Sequence, residues 1–568
     1  MMEQVNMTTD KDSCRILVDI LRRHGVREAV MSPGSRNAPL VVAISACPDI
    51  KTTVVIDERC AAFVALGKAS VSSSPVMLVC TSGTAVLNYA PAVAEAYYRN
   101  VPLVVVSADR PMEWIDQDDS QTLRQFEALS HYVKRSYNLP SPCGADSLRW
   151  YVNRVANDAM LNCLSGRRAP VHINVQLDAP LGNMAAARPD RWSERTIRMV
   201  EPATGLSGEQ MAELSGLFAP SRKVLVIAGF HDPSPVLSES LDAMAGWGNV
   251  AVMCETISNL RSVRFINDID ATLSSMTEAE LVSMCPDTVV TLGGAIVSRF
   301  VKAYLRGNAV ADHVHVGLTD NTVDCFQRLT VRVPMPPADF FAGLVERHRG
   351  AGVSDYGHRW MDYALRGRDM HSAYVGSAPW SDLKAMAFVM RNLPDGCALQ
   401  LSNGTSIRYA QLFPSGQAVR SDCNRGVSGI DGCTSTAVGA ATVYDGTTVL
   451  VTGDMSAQYD LGALALQCVP ASFRMIVLCN GGGGIFRFVG STSSLPQLDE
   501  YFVVPRRFPL RLLAEAYGFD YYEADSEESL CGVFEGFVRQ SGRPALLAVH
   551  TPAELSAEVL KGYFNCRQ

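Results

Sequence analysis

Features that would mark a membrane or nucleic-acid-binding protein are missing from this sequence. No uninterrupted apolar stretch approaches the roughly 18 to 20 residues that cross a bilayer. No long run of Lys and Arg is present, and 50 basic against 58 acidic side chains leave a formal net charge of -8. We therefore expect neither membrane insertion nor nucleic-acid binding, and any anionic ligand must be bound by a local group of cations.

Cysteine motifs and targeting signals are also missing. The 16 cysteines include no CxxC pair. Several lie inside apolar runs, as Cys80 and Cys479 do, so we expect mostly reduced, buried thiols. The polar segment "MMEQVNMTTDKDSC" lacks the apolar core of a signal peptide. These observations favour a cytoplasmic location.

Apolar runs that alternate with helical patterns dominate what is present. Between Asp10 and about Leu181 the strand-like runs are "EAVMS", "TTVVI", "VMLVC", "LVVVSA" and "VHINV". This alternation is typical of a parallel sheet covered by helices. A polar, Pro/Gly-containing segment follows, which predicts a linker over about 182–207.

The same alternation returns twice. Strand-like "KVLVIAGF", "VAVMCET", "DTVVTLGGA" and "DHVHVGL" precede a polar stretch that predicts a boundary near 348–375, and "CALQLSN", "TTVLVTGD", "FRMIVLCN" and "PALLAVH" follow it. At 568 residues the chain has room for about three domains. The predicted class is α/β, with three consecutive doubly wound parallel-sheet domains over 1–190, 200–350 and 370–568.

An acid and a glycine cluster follow two successive apolar runs in "VTGDMSAQYDLGALALQCVPASFRMIVLCNGGGGIF". Ligands of open parallel sheets collect outside the carboxyl ends of the strands, where Asp454 and Asn480 fall. Carboxylate and amide oxygens suit Mg²⁺, and glycines let the backbone approach metal and phosphate closely. An Asp after a strand can also be a helix N-cap, and a glycine cluster can be a plain turn.

In this spacing the motif resembles that of the thiamine diphosphate (ThDP)-dependent decarboxylases and synthases. The resemblance implies a ThDP-enzyme fold in which Asp454, Asn480 and the Gly482 carbonyl of a C-terminal diphosphate-binding domain hold Mg²⁺ or Mn²⁺. The further residues that it places at the cofactor are Met455, Ser456, Ile485 and Phe486.

The resemblance also implies a glutamate on an N-terminal pyrimidine-binding domain. Glu58, in "TTVVIDERCAAFVALGKA", stands after a strand and at the start of a helix. Taken alone it is an acid favoured by the helix dipole. In a ThDP enzyme it would share a proton with the pyrimidine ring and thereby activate the cofactor.

Five further stretches narrow the resemblance: "SPGSRNAPL", "TSGTAVLNYAPAVAEA", "SADRP", "NRGVSGIDGCTSTA" and "GDMSAQYDLGALAL". They resemble the 2-succinyl-5-enolpyruvyl-6-hydroxy-3-cyclohexene-1-carboxylate synthase family of menaquinone biosynthesis. The family implies decarboxylation of 2-oxoglutarate and 1,4-addition of the resulting succinyl carbanion equivalent to isochorismate. It also implies a homodimer or homotetramer, with ThDP held between two subunits.

Both implied substrates are dicarboxylates. An acidic protein needs a local group of cations to bind them, and arginine suits this because its planar guanidinium pairs with a carboxylate through two hydrogen bonds. The resemblance gives the substrate-binding candidates Ser35, Arg36, Arg110, Gln121, Arg299, Arg408 and Arg425. Of these, Ser35, Arg36 and Gln121 join Glu58 as catalytic candidates. In the alternative reading, Arg36 and Arg425 brace glycine-rich turns and Arg110 and Gln121 face solvent.

The sequence also departs from the family pattern. Relatives commonly show Lys-Arg after the "LGG" strand, whereas here Arg299 is followed by Phe300, and Lys302 could compensate. Gly404, Gly481 and Gly484 stand where relatives can carry polar side chains.

A second enzyme class would share the fold and the cofactor. An acetolactate-synthase type enzyme would add FAD. The simple decarboxylases carry an adjacent His-His pair, which the ten histidines here do not include.

Overall fold

The computed structural model describes residues 7–141, 145–186, 194–201, 205–347, 354–414, 416–506 and 508–565. The chain divides into two compact units. The first unit comprises Met1–Pro202, Gly426–Asp445 and Tyr459–Pro470, and the second unit comprises Ala203–Arg425, Gly446–Gln458 and Ala471–Gln568. The described part of the chain contains no helix with the length and apolar content needed to span a membrane.

The first unit is built on a six-stranded parallel sheet. In spatial order its strands are Lys51–Val54, Glu28–Met31, Val76–Cys80, Leu103–Asp109, Val171–Gln176 and Ser136–Leu139. Apolar side chains of the sheet pack into two separate cores, one of which also includes the helix Asp12–Arg23 and the other the helix Glu58–Ser72. Since helices cover both faces, the central strands are buried throughout.

The remaining elements of the first unit are mainly helices. The α-helices are Asp12–Arg23, Ala38–Ser45, Glu58–Ser72, Ala85–Asn88, Ala90–Arg99, Asp146–Leu164 and Cys433–Ala441, and the 3₁₀ turns are Met112–Trp114, Ser130–Tyr132 and Leu461–Ala465. A short antiparallel pair joins Met7–Thr9 to Met184–Ala186, so a strand lies where the sequence predicted the start of a linker. The strand Ser136–Leu139 was not predicted.

The second unit carries two parallel sheets. The middle sheet has the order Val250–Cys254, Val224–Ala228, Thr288–Leu292, Asp312–Val316 and Leu329–Val333. The third sheet has the order Arg420–Cys423, Ala398–Leu401, Thr448–Gly453, Phe473–Cys479, Ala545–His550 and Asp520–Ala524. The predicted fold class of three helix-covered parallel sheets is confirmed.

Helices connect the strands of the second unit. Those around the middle sheet are Gly208–Gly216, Pro235–Ala245, Ile269–Ser274, Glu278–Ser283, Arg299–Gly307, Pro337–Arg347 and the 3₁₀ turn Thr256–Ser258. Those around the third sheet are Asp382–Arg391, Thr405–Ala410, Asp454–Tyr459, Gly484–Phe488, Gly490–Ser493, the π-helix Leu498–Val503, Leu510–Ala516, Glu527–Val538 and Ala553–Asn565. The helix Tyr356–Ser377 occupies most of the stretch in which the sequence predicted a domain boundary.

All three sheets reverse their strand order next to their first strand. In each, the second strand in sequence lies on one side of the first and the third strand on the other. The crevice outside the carboxyl ends of the first and third strands is the usual ligand site of such sheets. In the third sheet those strands are Ala398–Leu401 and Thr448–Gly453, and Asp454 directly follows the second of them.

Candidate active site

Asp454 is the centre of the predicted metal motif. It is buried at the end of the strand Thr448–Gly453, and its Oδ2 accepts hydrogen bonds from the amides of Gly481 (2.8 Å) and Gly482 (3.0 Å). Its Oδ1 is buried with no hydrogen-bond partner among the described residues. Burial raises the pKa of Asp454 to about 6, since the amides only partly replace the lost hydration. A cation at Oδ1 would satisfy this oxygen, so the residue fits the metal expected of it.

Asn480 is held in a defined orientation beside this motif. Its Nδ2 donates to Asp382 Oδ2 at 2.8 Å, so the amide nitrogen is used inside the protein and the amide oxygen remains as the ligand atom. Asp382 is itself buried and also accepts from the hydroxyl of Thr551. Among the described residues no group of three His, Cys, Asp or Glu side chains could hold a metal. The predicted set of one carboxylate with neutral oxygens remains the candidate.

The glycine departures have local explanations. Gly481 and Gly404 have φ of +84° and +95°, a region that favours glycine. A Cβ at Gly484 would lie 2.6 Å from Nδ2 of Asn480. A larger residue at 484 would therefore require Asn480 to move.

The remaining cofactor candidates surround the glycines. Ser456 is buried, and Met455, Ile485 and Phe486 are half-buried. The Phe486 ring lies 5.6 Å from that of Phe502. Ile485 and Phe486 stay predictions as an apolar wall beside the cofactor.

Glu58 opens the helix Glu58–Ser72 in the first unit and is half-buried. Asp57 caps this helix by accepting hydrogen bonds from the amides of Arg59 (2.9 Å) and Cys60 (3.2 Å). Burial raises the pKa of the Cys80 thiol, and the Glu58 charge adds to this rise. Glu58 therefore lies within electrostatic range of the carboxyl end of the strand Val76–Cys80.

The predicted residues of the N-terminal sheet gather at its own crevice. Arg36 donates through Nη1 to the Leu177 carbonyl at 2.9 Å, and Gln121 donates to the Ser82 carbonyl at 3.1 Å. Burial lowers the pKa of Arg36, and the nearby Arg110 lowers it further. Ser35 is exposed in the same loop as Arg36.

Arg110 is already engaged by its own loop. Its Nε and Nη2 donate to the Ser120 carbonyl, and its Nη1 lies 2.6 Å from Asp119 Oδ2. To bind a substrate carboxylate, Arg110 would have to share or exchange these partners.

The second unit brings its three predicted arginines together. Arg299 opens the helix Arg299–Gly307 after the middle sheet, Arg408 lies in the helix Thr405–Ala410, and Arg425 follows the strand Arg420–Cys423. Burial lowers the pKa of Arg408 to about 10, and the charges of Arg299 and Arg425 lower it further. Such mutual repulsion is typical of cations arranged to receive an anion.

One further cation, Lys302, lies beside this group. Lys302 Nζ donates to the Ile296 carbonyl at 2.6 Å, and burial, assisted by Arg425, lowers its pKa. The Nε of Arg425 is buried with no hydrogen-bond partner among the described residues, while its Nη1 donates to Asn403. Phe300 stacks instead on Phe564, with ring centroids 4.7 Å apart, so it adds apolar packing.

Comparison with known proteins agrees with this geometry. A family model described as "Thiamine pyrophosphate enzyme, N-terminal TPP binding domain" matches residues 12–128. Relatives named 2-succinyl-5-enolpyruvyl-6-hydroxy-3-cyclohexene-1-carboxylate synthase match almost the whole chain. The Porphyromonas gingivalis protein is 39% identical over 565 residues, which is 98% of this chain and 97% of the relative.

More distant relatives carry the same name. The Flavobacterium johnsoniae protein is 35% identical over 551 residues (97% of this chain, 98% of the relative), and the Bacteroides thetaiotaomicron protein is 34% identical over 567 residues (98% and 99%). This chain belongs to the 2-succinyl-5-enolpyruvyl-6-hydroxy-3-cyclohexene-1-carboxylate synthase family. The resemblance inferred from the motifs is confirmed, and so is a ThDP-dependent enzyme type.

Three buried residues of this synthase-family chain were missed from the sequence. Asp382 holds Asn480, Gln125 accepts a hydrogen bond from the Gly83 amide at 2.7 Å, and Glu255 accepts backbone hydrogen bonds in the middle sheet. Glu255 directly follows an apolar strand, which is the signal that had identified Asp454. Asp382 follows no strand and Gln125 lies in a loop, so no comparable signal marked them.

Proposed function

We propose that this chain is a ThDP-dependent synthase that decarboxylates 2-oxoglutarate and adds the succinyl carbanion equivalent to isochorismate. The product would be 2-succinyl-5-enolpyruvyl-6-hydroxy-3-cyclohexene-1-carboxylate, in menaquinone biosynthesis. The observation that carries this proposal is the group of Arg299, Arg408 and Arg425 at the crevice edges of a chain whose full-length relatives bear that name. Two dicarboxylates require several cations that are fixed before the substrates arrive.

We propose Mg²⁺ or Mn²⁺ as the second cofactor, held by Asp454, Asn480 and the Gly482 carbonyl. The unbonded, buried Oδ1 of Asp454 supports this, because such an oxygen is costly without a cation. Bound ThDP would supply a carbon centre that accepts the electron pair left by decarboxylation.

The protein side chains would then bind, orient and move protons. Glu58 would hold a proton at the pyrimidine ring, and the half-buried Arg36 with Ser35 and Gln121 would orient a substrate over the N-terminal crevice. In the second unit Arg299, Arg408 and Arg425 would bind substrate carboxylates. In the first unit Arg110 would bind a carboxylate only after releasing Asp119.

The assembly and the domain roles also belong to this proposal. Residues 1–190 would bind the pyrimidine, residues 370–568 the diphosphate and metal, and residues 200–350 would form a central domain. We propose a homodimer or homotetramer in which ThDP is held between two subunits, as the family resemblance implies. A cytoplasmic location remains part of the proposal.

The test is an assay with purified protein, ThDP, Mg²⁺, 2-oxoglutarate and isochorismate, in which the product is identified by mass. We expect CO₂ release and the succinylated product together. An Asp454→Ala variant serves as the inactive control. A product made from pyruvate, or a flavin absorption band, would favour the acetolactate-synthase type and contradict the proposal.

A further inference from the structure

A buried carboxylate in the middle sheet bonds to the segment that leads into Arg299. Glu255 follows the strand Val250–Cys254 and is 2% exposed. Its two oxygens accept from the Val297 amide at 2.7 and 2.8 Å, and one of them also accepts from the Ser298 amide at 2.7 Å. Because these are the last two amides before Arg299, the carboxylate fixes the backbone from which the Arg299 side chain extends.

Ser298 extends this attachment into the helix itself. Its hydroxyl caps the helix Arg299–Gly307 by accepting from the Val301 amide at 3.1 Å, and it donates to the buried Asp270. The start of the helix is therefore held by one carboxylate through its backbone and by another through its cap. Few orientations of this helical turn remain once both carboxylates are in place.

The neighbour of Glu255 holds a second cation-bearing element. The Thr256 amide donates to Gln411 Oε1 at 2.7 Å. Gln411 directly follows the helix Thr405–Ala410, which carries Arg408. Two consecutive residues at one strand end thus connect the elements that carry Arg299 and Arg408.

The groups around Glu255 determine how readily it carries a charge. Burial raises its pKa to about 7, the two amides oppose the rise, Asp270 adds to it and Arg425 opposes it. Lys302 and Cys254 also interact electrostatically with Glu255. A carboxylate in this position costs desolvation energy, which the amide hydrogen bonds offset.

We propose that Glu255 is a positioning residue for substrate binding, which holds Arg299 in the cation group with Arg408 and Arg425. The inference rests on the proposed function, because the cation group matters only if a carboxylate substrate binds there. In the competing explanation, Glu255 only closes the end of its strand. Glu255 would then affect folding stability and leave the grip of Arg299 unchanged.

A double-mutant cycle separates the two explanations. Glu255→Gln removes the charge and places an amide NH₂ against one backbone donor, and Arg299→Ala removes the side chain that is positioned. For whichever dicarboxylate Arg299→Ala affects, we expect each single variant to raise KM about 10-fold with a smaller change in kcat. In the Arg299→Ala background, Glu255→Gln should change KM by less than about two-fold. Glu255 affects substrate binding only through the Arg299 side chain, which this background lacks.

A control variant separates a loss of folding stability from a loss of substrate binding. Asn249, also buried, precedes the same strand at its opposite end and donates to the Phe218, Ala219 and Arg222 carbonyls. We expect Asn249→Ala to lower Tm at least as much as Glu255→Gln does, while both KM values stay unchanged. Independent, multiplying effects of Glu255→Gln and Arg299→Ala on KM would overturn the inference, and so would an unchanged KM in Glu255→Gln.

Measuring ligand binding directly tests the role of Glu255 without depending on the proposed reaction. The affinities of succinate and of isochorismate for the ThDP- and Mg²⁺-loaded protein are measured separately by calorimetry, so that no carbon-carbon bond forms. We expect the double-mutant cycle to show the same non-additive effects on Kd as on KM. If the wild-type protein binds either ligand but makes no product, the proposed function fails while the cycle remains decisive. If the Arg299→Ala variant bound both ligands with wild-type affinity, the inference would be overturned while the proposed function would stand.

Discussion

At the residue scale, the carboxylates of this protein differ in what satisfies their oxygens. Glu255 has both oxygens bonded to backbone amides, whereas Asp454 has one oxygen bonded and the other buried with no partner in the part of the chain that the structure describes. A fully bonded buried carboxylate is explained by the protein alone, but a half-bonded one is costly until a ligand arrives. This difference supports Asp454 as a metal ligand and Glu255 as a positioning residue.

The first prediction separates cofactor retention from cofactor activation. Asp454→Ala should weaken ThDP binding at least 10-fold at fixed Mg²⁺, because the ion loses a charged ligand. Glu58→Gln should leave the Kd of ThDP within about 3-fold and lower kcat by roughly 10² or more, as expected for a lost acid-base group. Calorimetry gives the Kd and steady-state assays give kcat.

Asp445→Ala is the matched control, because Asp445 is an exposed acid three residues before the strand Thr448–Gly453, which Asp454 follows. It should change neither quantity. Equal losses of ThDP affinity in Asp454→Ala and Glu58→Gln would show that the two roles are assigned wrongly.

The second prediction concerns the buried His172, whose Nε2 lies 2.8 Å from the Ser107 hydroxyl. Burial lowers the pKa of His172 to about 4, from an ordinary value of 6.5. Between these two pH values the unfolded chain binds more protons than the native one, so stability falls as the pH falls. Lowering the pH from 7.5 to 5 should cost the wild type about 2 kcal/mol through this residue.

His172→Gln should lose less stability than the wild type over the same range, because a neutral amide does not titrate. Urea unfolding or Tm at both pH values measures the difference. Identical losses in the two proteins would mean that His172 is protonated equally in the native and unfolded states.

At the element scale, the helix that begins with Glu58 depends on close backbone contact with a second helix. Within the first unit, a Cβ added at Gly67 would lie 1.9 Å from the Thr436 carbonyl oxygen, and one at Gly439 would lie 2.1 Å from the Val64 carbonyl oxygen. The glycines therefore let the helices Glu58–Ser72 and Cys433–Ala441 approach through their backbones. Any added side-chain atom must push these helices apart.

The third prediction follows from this contact. Gly67→Ala should lower the free energy of unfolding by about 1 to 3 kcal/mol, since backbone atoms cannot move aside as a flexible side chain can. Gly532→Ala, at an exposed position of the helix Glu527–Val538 with open space around the added methyl, should stabilise by about 0.5 to 1 kcal/mol. Thermal unfolding of both variants decides, and a Gly67→Ala variant as stable as wild type would contradict the close packing.

At the scale of the whole molecule, the two residues proposed to act on the cofactor belong to different units, Glu58 to the first and Asp454 to the second. Two exposed apolar residues precede Glu58 in sequence, since Ile56 is 82% and Val54 is 60% exposed. Apolar surface that is left exposed favours an interface with another chain. These observations support an assembly of at least two copies.

The fourth prediction is a homodimer or larger assembly whose sites are shared between subunits. Light scattering should give at least twice the 61.5 kDa chain mass. The inactive Glu58→Gln and Asp454→Ala variants, unfolded together and reassembled, should recover about a quarter of wild-type activity, because half of the chains form mixed dimers with one intact site each. A fully active monomer, or no recovery in a mixture that demonstrably exchanged subunits, would contradict shared sites.

Ile56→Asp tests the surface itself. It should weaken self-association, whereas Val263→Asp, at a residue that is 91% exposed in the second unit, should not. Association that is unchanged in Ile56→Asp would place the interface elsewhere.

The sequence by itself determined the fold class and the central strands, and it predicts the metal motif. Buried parallel strands read as apolar runs, and Asp454 and Asn480 follow such runs directly, so both signals are local. The strands Arg420–Cys423 and Asp520–Ala524 escaped prediction because their polar residues give no such run. In Arg420–Cys423 two of the polar side chains pair with each other, since Arg420 forms ion pairs with Asp422 and also with Asp232.

Only the tertiary structure decided which side chains meet. Arg299, Arg408 and Arg425 come from three different loops and helices, and the partners Asp382 of Asn480 and Glu255 of the Val297–Ser298 backbone lie far away in sequence. Hydrogen bonds and ion pairs form wherever the sheet order brings strand ends together, and that order depends on the packing of whole helices and strands. For this reason the Asp454–Asn480 motif could be predicted from the sequence, while the residues that hold and position the site could not.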